Sequence, residues 1–176
     1  MTSWIRRAIR AVAAPDHRLR CRPDVWQAGW EELRRRGGGH RESGAFLLGW
    51  KDGDRRVIEQ FVYYDDLDPH ALDTGIITFD GGAYPALWER CRQTGWKVVA
   101  DVHTHPGPAR QSGLDRDHPM IARSGHVGLI IPDFAQGPPI RQEMANVGIY
   151  EYLGAGEWSN HSGRDALRYF YVSRWA

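Results

Sequence analysis

The sequence predicts a mixed α+β fold, a twisted sheet flanked by helices in one domain, and three observations predict it. Two stretches carry apolar residues at helical spacing, around Trp26 and around Leu87. Several short apolar runs rich in β-branched residues lie between and after them, separated by Gly, Pro and Asp. The length of 176 residues suits a single hydrophobic core.

The N-terminal segment is basic. Residues 1–41 hold ten Arg against four acids, a balance of +6, while the remainder balances at −5, giving +1 overall. Residues 1–22 are read as an Arg-rich extension and 23–176 as the domain. Within the extension, residues 3–13 predict a short amphipathic helix, interrupted by Arg6, Arg7 and Arg10. Its apolar run is too short for a signal-peptide core. His17 to Arg22 alternates weakly and predicts a short edge strand.

A helix starts at Pro23. Asp24 lies in its first turn, where the helix dipole favours an anion, and Trp26, Trp30 and Leu33 form the buried stripe. The two tryptophans are expected to cover a sheet face. Gly37-Gly38-Gly39 stops the helix. Glu42 to Trp50 is an apolar strand, Asp52-Gly53 a hairpin turn, and Val57 to Tyr64 the returning strand. Asp65 to Asp73 reads as a polar loop and Ile76 to Phe79 as a further strand.

The second helix follows Gly81-Gly82, with Pro85 suited to its first position. Tyr84, Leu87, Trp88 and Cys91 make its stripe, and Gly95 ends it. Trp96 to His103 is a β-branched strand, expected to be central. Pro106 to Gln111 is a loop, and Ser112 caps a short helix running to about Arg123. Strands are expected over His126–Ile131 and Val147–Leu153, with an irregular loop from Asp133 to Gln142 between them. Trp158 starts a short strand, and Ala166 to Trp175 leans towards a strand.

The chemistry gathers at one place. His103 and His105 are one residue apart at the end of a strand, so period-2 geometry points both side chains to one face. A carboxylate ten residues on, Asp115, can fold back over them. Two imidazoles and one carboxylate can hold zinc and leave its fourth position to water, as catalytic zinc sites do. Asp117 and His118 are possible extra or substitute ligands. Ser112 and Asp115, three apart on a helical turn, share a face. A water on zinc still needs a base, and Glu42 is the candidate for it. Ser112 is the candidate donor to an oxyanion. A structural zinc is disfavoured, because no fourth protein ligand is evident.

These pieces resemble the JAMM (MPN+ or JAB) zinc metalloprotease family, in its prokaryotic branch. Glu42-Ser43-Gly44-Ala45-Phe46-Leu47-Leu48-Gly49 is similar to the family's glutamate strand. His103-Thr104-His105-Pro106 matches its paired ligands, and Ser112-Gly113-Leu114-Asp115 its last element. The similarity runs over most of residues 23–153. It implies a JAMM/MPN-like, cytidine-deaminase-like twisted mixed sheet flanked by helices. It implies zinc on His103, His105 and Asp115, with Glu42 as acid/base and Ser112 as oxyanion donor. It further implies hydrolysis of the peptide or isopeptide bond after the C-terminus of a ubiquitin-like protein, in conjugates or precursors, including in antiviral defence systems. Loops Asp65–Gly75 and Asp133–Gln142 would then flank the tail of that partner. The chain departs from the family's spacing once, in a Pro106–Gln111 loop one residue shorter than usual.

Other readings use other features. A peptidase for a sulfur-carrier protein would use the same residues. A non-catalytic scaffold of the same fold would typically lack the ligands. The arginines have no recognisable nucleic-acid-binding module around them, so no nucleic-acid partner is expected. No apolar run approaches the ~18 residues of a membrane span, so no membrane partner is expected either. Two cysteines, Cys21 and Cys91, give no disulfide framework, and a cytoplasmic setting is expected. Cys91 is expected to be a small core residue. The oligomeric state is left open.

Overall fold

The computed structural model describes residues 18–138 and 146–174. The helix expected at 3–13, and part of the loop expected up to Gln142, lie outside the described residues. The chain forms a single mixed α/β domain on one eight-stranded sheet in the order β7-β6-β5-β4-β2-β3-β1-β8. The strands are β1 (Leu19–Cys21), β2 (Gly44–Asp52), β3 (Arg55–Tyr63), β4 (Lys97–Thr104), β5 (Val127–Ile131), β6 (Gly148–Gly154), β7 (Glu157–Asn160) and β8 (Phe170–Val172). The pairs β4–β5, β1–β3 and β1–β8 are parallel, and the other four pairs are antiparallel.

Strand β2 shows how sequence alternation builds two layers. Ala45 and Leu47 point to one face and Phe46 and Leu48 to the other, and all four are fully buried. On the first face they meet helix α1 (Pro23–Gly37), whose Trp26, Trp30 and Leu33 are the buried stripe that the spacing predicted. Asp24 sits in the first turn, three arginines sit in the last, and Gly38 closes the helix in the left-handed conformation. On the second face lie Val62, Leu72 and Leu87, with Tyr64 from the one-turn helix α2 (Tyr64–Leu67) and Leu87 from helix α3 (Tyr84–Thr94). A sheet covered on both sides needs apolar residues at every position of its central strands, which is why β2 reads as an unbroken run. Gly49 lies where the β2–β3 register shifts, and a Cβ there would collide with the Val57 carbonyl.

Several expectations are corrected. β1 is an internal strand, paired on both sides by β3 and β8, and not an edge. Leu19–Cys21, assigned to the N-terminal extension, therefore belong to the sheet. Ile76–Phe79 is not a strand. It packs by side chains, with the Phe79 ring against Phe46, Tyr64 and Tyr84, and Thr78 donates to the Ala71 carbonyl at 2.9 Å. Only Ile77 and Phe79 are partly buried against the core, while Ile76 is 48% exposed, so the β-branched run forms no ladder. In α3 the stripe is narrower than predicted: Leu87 is buried, Cys91 half-buried, and Trp88 47% exposed, stacked on Tyr84. The core thiol is Cys21, and burial pushes it well above the usual range. Residues Ala166–Tyr169 form a one-turn helix, α5, before β8 begins.

The helix after Ser112 is also shorter than expected. Helix α4 covers Gly113–Asp117 and ends at His118, whose φ of −127° and ψ of 66° are non-helical. The next residue is Pro119, and the residue before a proline is pushed out of the helical region. Among the described residues no helix is long and apolar enough to cross a membrane.

Candidate metal centre

Strand β4 delivers the histidines. Its neighbours fix their height: His103 pairs with Gly44 of β2 on one side and with Ile130 of β5 on the other. Gly44 has no room for a Cβ, because the Tyr64 ring and the Val102 carbonyl close over it. His105 lies just past the strand and is still held, its N–H donating to the Ile131 carbonyl at 2.9 Å. Behind it, Ser43 and Thr104 lock β2 to β4: Ser43 N–H donates to Thr104 Oγ1 at 3.0 Å and Thr104 N–H to the Ser43 carbonyl at 2.9 Å. The Ser43 hydroxyl ties both to α1 through the Leu33 carbonyl at 2.7 Å.

The backbone after β5 takes an unusual path beneath His105. Asp133, Phe134 and Ala135 have φ of 51°, 50° and 59°, three consecutive non-glycine residues in the left-handed region. Such a turn costs roughly 1–2 kcal/mol per residue. Tertiary hydrogen bonds offset that. Phe134 N–H donates to the His105 carbonyl at 2.8 Å and Asp133 N–H to the Gly107 carbonyl at 3.1 Å. The Trp30 indole N–H lies 3.0 Å from the Ala135 carbonyl and 2.9 Å from that of Gly137.

Asp115 comes from α4, and Ser112 sets its position. Ser112 is the N-cap, as the sequence predicted, and a capping box closes around it. Its Oγ accepts from Asp115 N–H at 3.1 Å, and its own N–H donates to Asp115 Oδ2 at 2.6 Å. The carboxylate then reaches the histidines. His103 Nε2 lies 3.3 Å from Oδ1, His105 Nε2 lies 3.3 Å from Oδ2, and the two Nε2 atoms are 3.0 Å apart. Among the described residues these three form the one cluster whose geometry could hold a metal ion.

The donors lie close enough to share one metal ion: the two Nε2 atoms are 3.0 Å apart, and each is 3.3 Å from a different oxygen of the Asp115 carboxylate. Asp117 and His118, named as substitutes, are exposed and not in the cluster.

Electrostatics describe the same convergence. Burial pulls the His103 imidazole down, but the Asp115 carboxylate, with help from Asp101 and Glu42, outweighs it and leaves the group raised. Burial pushes Asp115 up, yet the two imidazoles and the Ser112 side chain hold its carboxyl far below the usual carboxylate range.

Glu42 stands beside this cluster at the entry to β2. Its Oε1 is 3.9 Å from His105 Nε2, its Oε2 accepts from Ile77 N–H at 3.4 Å, and its own N–H donates to the Gly75 carbonyl at 3.0 Å. The structure thus brings Glu42, His103, His105 and Asp115 together, with Ser112 at the rim. Glu42, His103, Ser112 and Asp115 line one cleft of about 670 Å³. Ile77, Phe79, Leu114 and Met120 give the cleft apolar walls.

Two further groups in this cleft were not anticipated. Asp101, two residues before His103 on the same strand face, is 4% exposed, with His126 Nε2 2.5 Å from its Oδ1 and the Tyr64 hydroxyl 3.4 Å from its Oδ2. A lone Asp in an otherwise apolar strand was the available signal. The sequence marks Tyr150, from β6, only as part of a strand.

No family model matches the chain. Among solved structures, a protein of Desulfitobacterium hafniense superposes with a TM-score of 0.61 at 18% identity, over 88% of this chain and 93% of that one. A protein of Salinibacter ruber superposes with a TM-score of 0.52 at 19% identity, over 82% of this chain and 89% of that one. At these identities the likeness is one of fold.

Proposed function

We propose that this chain is a zinc-dependent hydrolase of peptide or isopeptide bonds, of the JAMM (MPN+) type, acting after the C-terminus of a ubiquitin-like protein. The observation that carries the reading is the convergence of two Nε2 atoms and the Asp115 carboxylate at separations of 3.0–3.3 Å beside a carboxylate with no covalent role, Glu42. The order of these residues along the chain supports the same reading, since it resembles the motif of that family. Zinc held by His103, His105 and Asp115 would supply the acidity that turns water into a nucleophile near neutral pH.

The remaining work falls to this chain's own groups. Glu42, held by Ile77 N–H on one oxygen, keeps the other turned towards the ligands and accepts the proton of the attacking water. The same carboxyl then returns that proton to the leaving amine. Ser112 Oγ accepts from Asp115 N–H, so its own hydroxyl hydrogen is available to donate to the oxyanion on the substrate carbonyl. The apolar walls of the cleft would take an extended, uncharged C-terminal tail and exclude bulk water from the scissile bond.

The test pairs metal content with cleavage. Wild-type protein should bind one zinc per chain and cleave a ubiquitin-like protein joined through its C-terminus to a lysine of a second protein. Glu42→Gln should keep the zinc and lose about 10²–10⁴-fold in cleavage rate. Asp115→Ala should lose both. Undiminished cleavage by Glu42→Gln would overturn the mechanism, and wild-type protein that takes up no zinc would overturn the metal centre.

A further inference from the structure

The loop from His105 to Ser112 carries metal-centre residues at both ends and has no regular structure, yet its backbone is held at alternate positions. The His105 and Gly107 carbonyls accept from the left-handed turn at Phe134 and Asp133. The Ala109 carbonyl accepts from the Tyr150 hydroxyl at 3.2 Å, and Gln111 N–H donates to that same hydroxyl at 3.2 Å. Two bonds come from the turn that follows β5, and two come from a single side chain on β6.

Strand β6 is shaped to receive this loop. Gly148 lies two residues before Tyr150, on the same face. A Cβ on Gly148 would run into the Ala109 carbonyl, so the bare position gives the loop its seat. Tyr150 itself is 8% exposed. Its oxygen donates once and accepts once within the protein, which directs it to the loop and not to a substrate. From Gln111 the connection to the ligand is short and stiff: the next residue is Ser112, and the capping box ties Ser112 to Asp115 in both directions.

We propose that Tyr150 is a positioning residue for the metal centre, which sets the distance between the histidine pair and Asp115 by clamping the loop at Ala109 and Gln111. The proposal rests on the metal-centre reading above. It also gives a physical account of how a Pro106–Gln111 loop one residue shorter than the family pattern still returns Asp115 to the histidines: its course is dictated from β6.

The test uses the full, metal-free chain and cobalt(II). Tyr150→Phe keeps the ring and removes the hydroxyl. It should weaken cobalt affinity by about 10–100-fold, change the visible absorption of the cobalt-loaded protein, and speed hydrogen exchange of the Gln111 amide in the metal-free protein. Tyr152→Phe removes a hydroxyl from the same strand, one that accepts from Gly156 N–H at 3.1 Å, and should leave all three readings unchanged. Gly148→Ala presses on both the Ala109 carbonyl and the Tyr150 ring, so it disturbs both sides of the clamp without removing the hydroxyl; it should lower cobalt affinity and speed Gln111 amide exchange in the same way, and it carries the test should Tyr150→Phe not fold. Cobalt affinity of Tyr150→Phe within about twofold of wild type, with an unaltered spectrum, overturns the proposal. Wild-type protein that takes up no cobalt overturns the metal-centre reading and the clamp with it, whereas normal uptake by wild type and variant alike sinks the clamp alone.

Discussion

Strand β4 presents two histidine–aspartate clusters on one face, and they differ in what their polar atoms have left to do. In the first, Asp101 meets His126 at 2.5 Å and the Tyr64 hydroxyl at 3.4 Å, and all three residues are buried. Its partners face one another and the group is closed. In the second, two residues further along, His103, His105 and Asp115 gather their nitrogens and oxygens together, with His103 and Asp115 on the wall of a cleft. The residue types are the same. Convergence of lone pairs on an open point, and not composition, separates an arrangement that could hold a metal ion from a closed hydrogen-bonded pair.

The largest expected effect lies in the closed cluster. Asp101→Ala leaves the His126 ring buried without its hydrogen-bond partner, and should cost the metal-free protein about 1–3 kcal/mol in urea unfolding while the folded fraction still binds one metal ion. A loss below about 1 kcal/mol would show that the two clusters are equally dispensable to the fold. Tyr64→Phe removes only the long hydroxyl contact and should cost about 0.5–1.5 kcal/mol by the same measurement, again without loss of metal.

The subtlest effect is in the pH dependence of the open cluster. The Asp115 carboxyl is held below its ordinary 3.8 in the folded chain, so its contribution is full above that pH and drains away as pH falls through the folded value. The His103 imidazole is raised above 6.5, so its contribution is full below 6.5 and is lost as pH rises through the folded value. Together they stabilise the metal-free chain most between those two limits. Asp115→Asn should therefore lower the plateau of unfolding free energy and flatten the curve on both sides of it, below about 3.8 and above about 6.5. Zinc should move the optimum of the wild-type protein to higher pH, because the ligating imidazoles must be neutral.

Much of the site was legible because its rules are local. The i, i+2 spacing of His103 and His105, the Ser112 cap and the Ser112–Asp115 turn each need only a few residues of context. Glu42 was legible only through the family resemblance and its place at a strand start, since nothing local ties it to residues some sixty positions on. The Asp101–His126 pair was hidden because β4–β5 pairing is what sets the two strands side by side. The same holds for β1, whose internal place depends on β8 arriving from the far end of the chain. Ile76–Phe79 misled because its residue types suit a strand while the segment finds no pairing partner, and only Phe79 is held, by the rings of Phe46, Tyr64 and Tyr84.

The left-handed turn at Asp133–Ala135 bears on the order in which the molecule is made. Local propensity opposes this conformation at each of its three residues, and it is held by Trp30, 105 residues away in sequence from Ala135, and by the backbone of His105 and Gly107. A structure that depends on such distant partners cannot precede them during folding. Helix α1 must already lie on the sheet, and β5 beside β4, before the turn can close. The seat of His105 is therefore a late product of folding, and in a fluctuating native state it should be among the first parts to open.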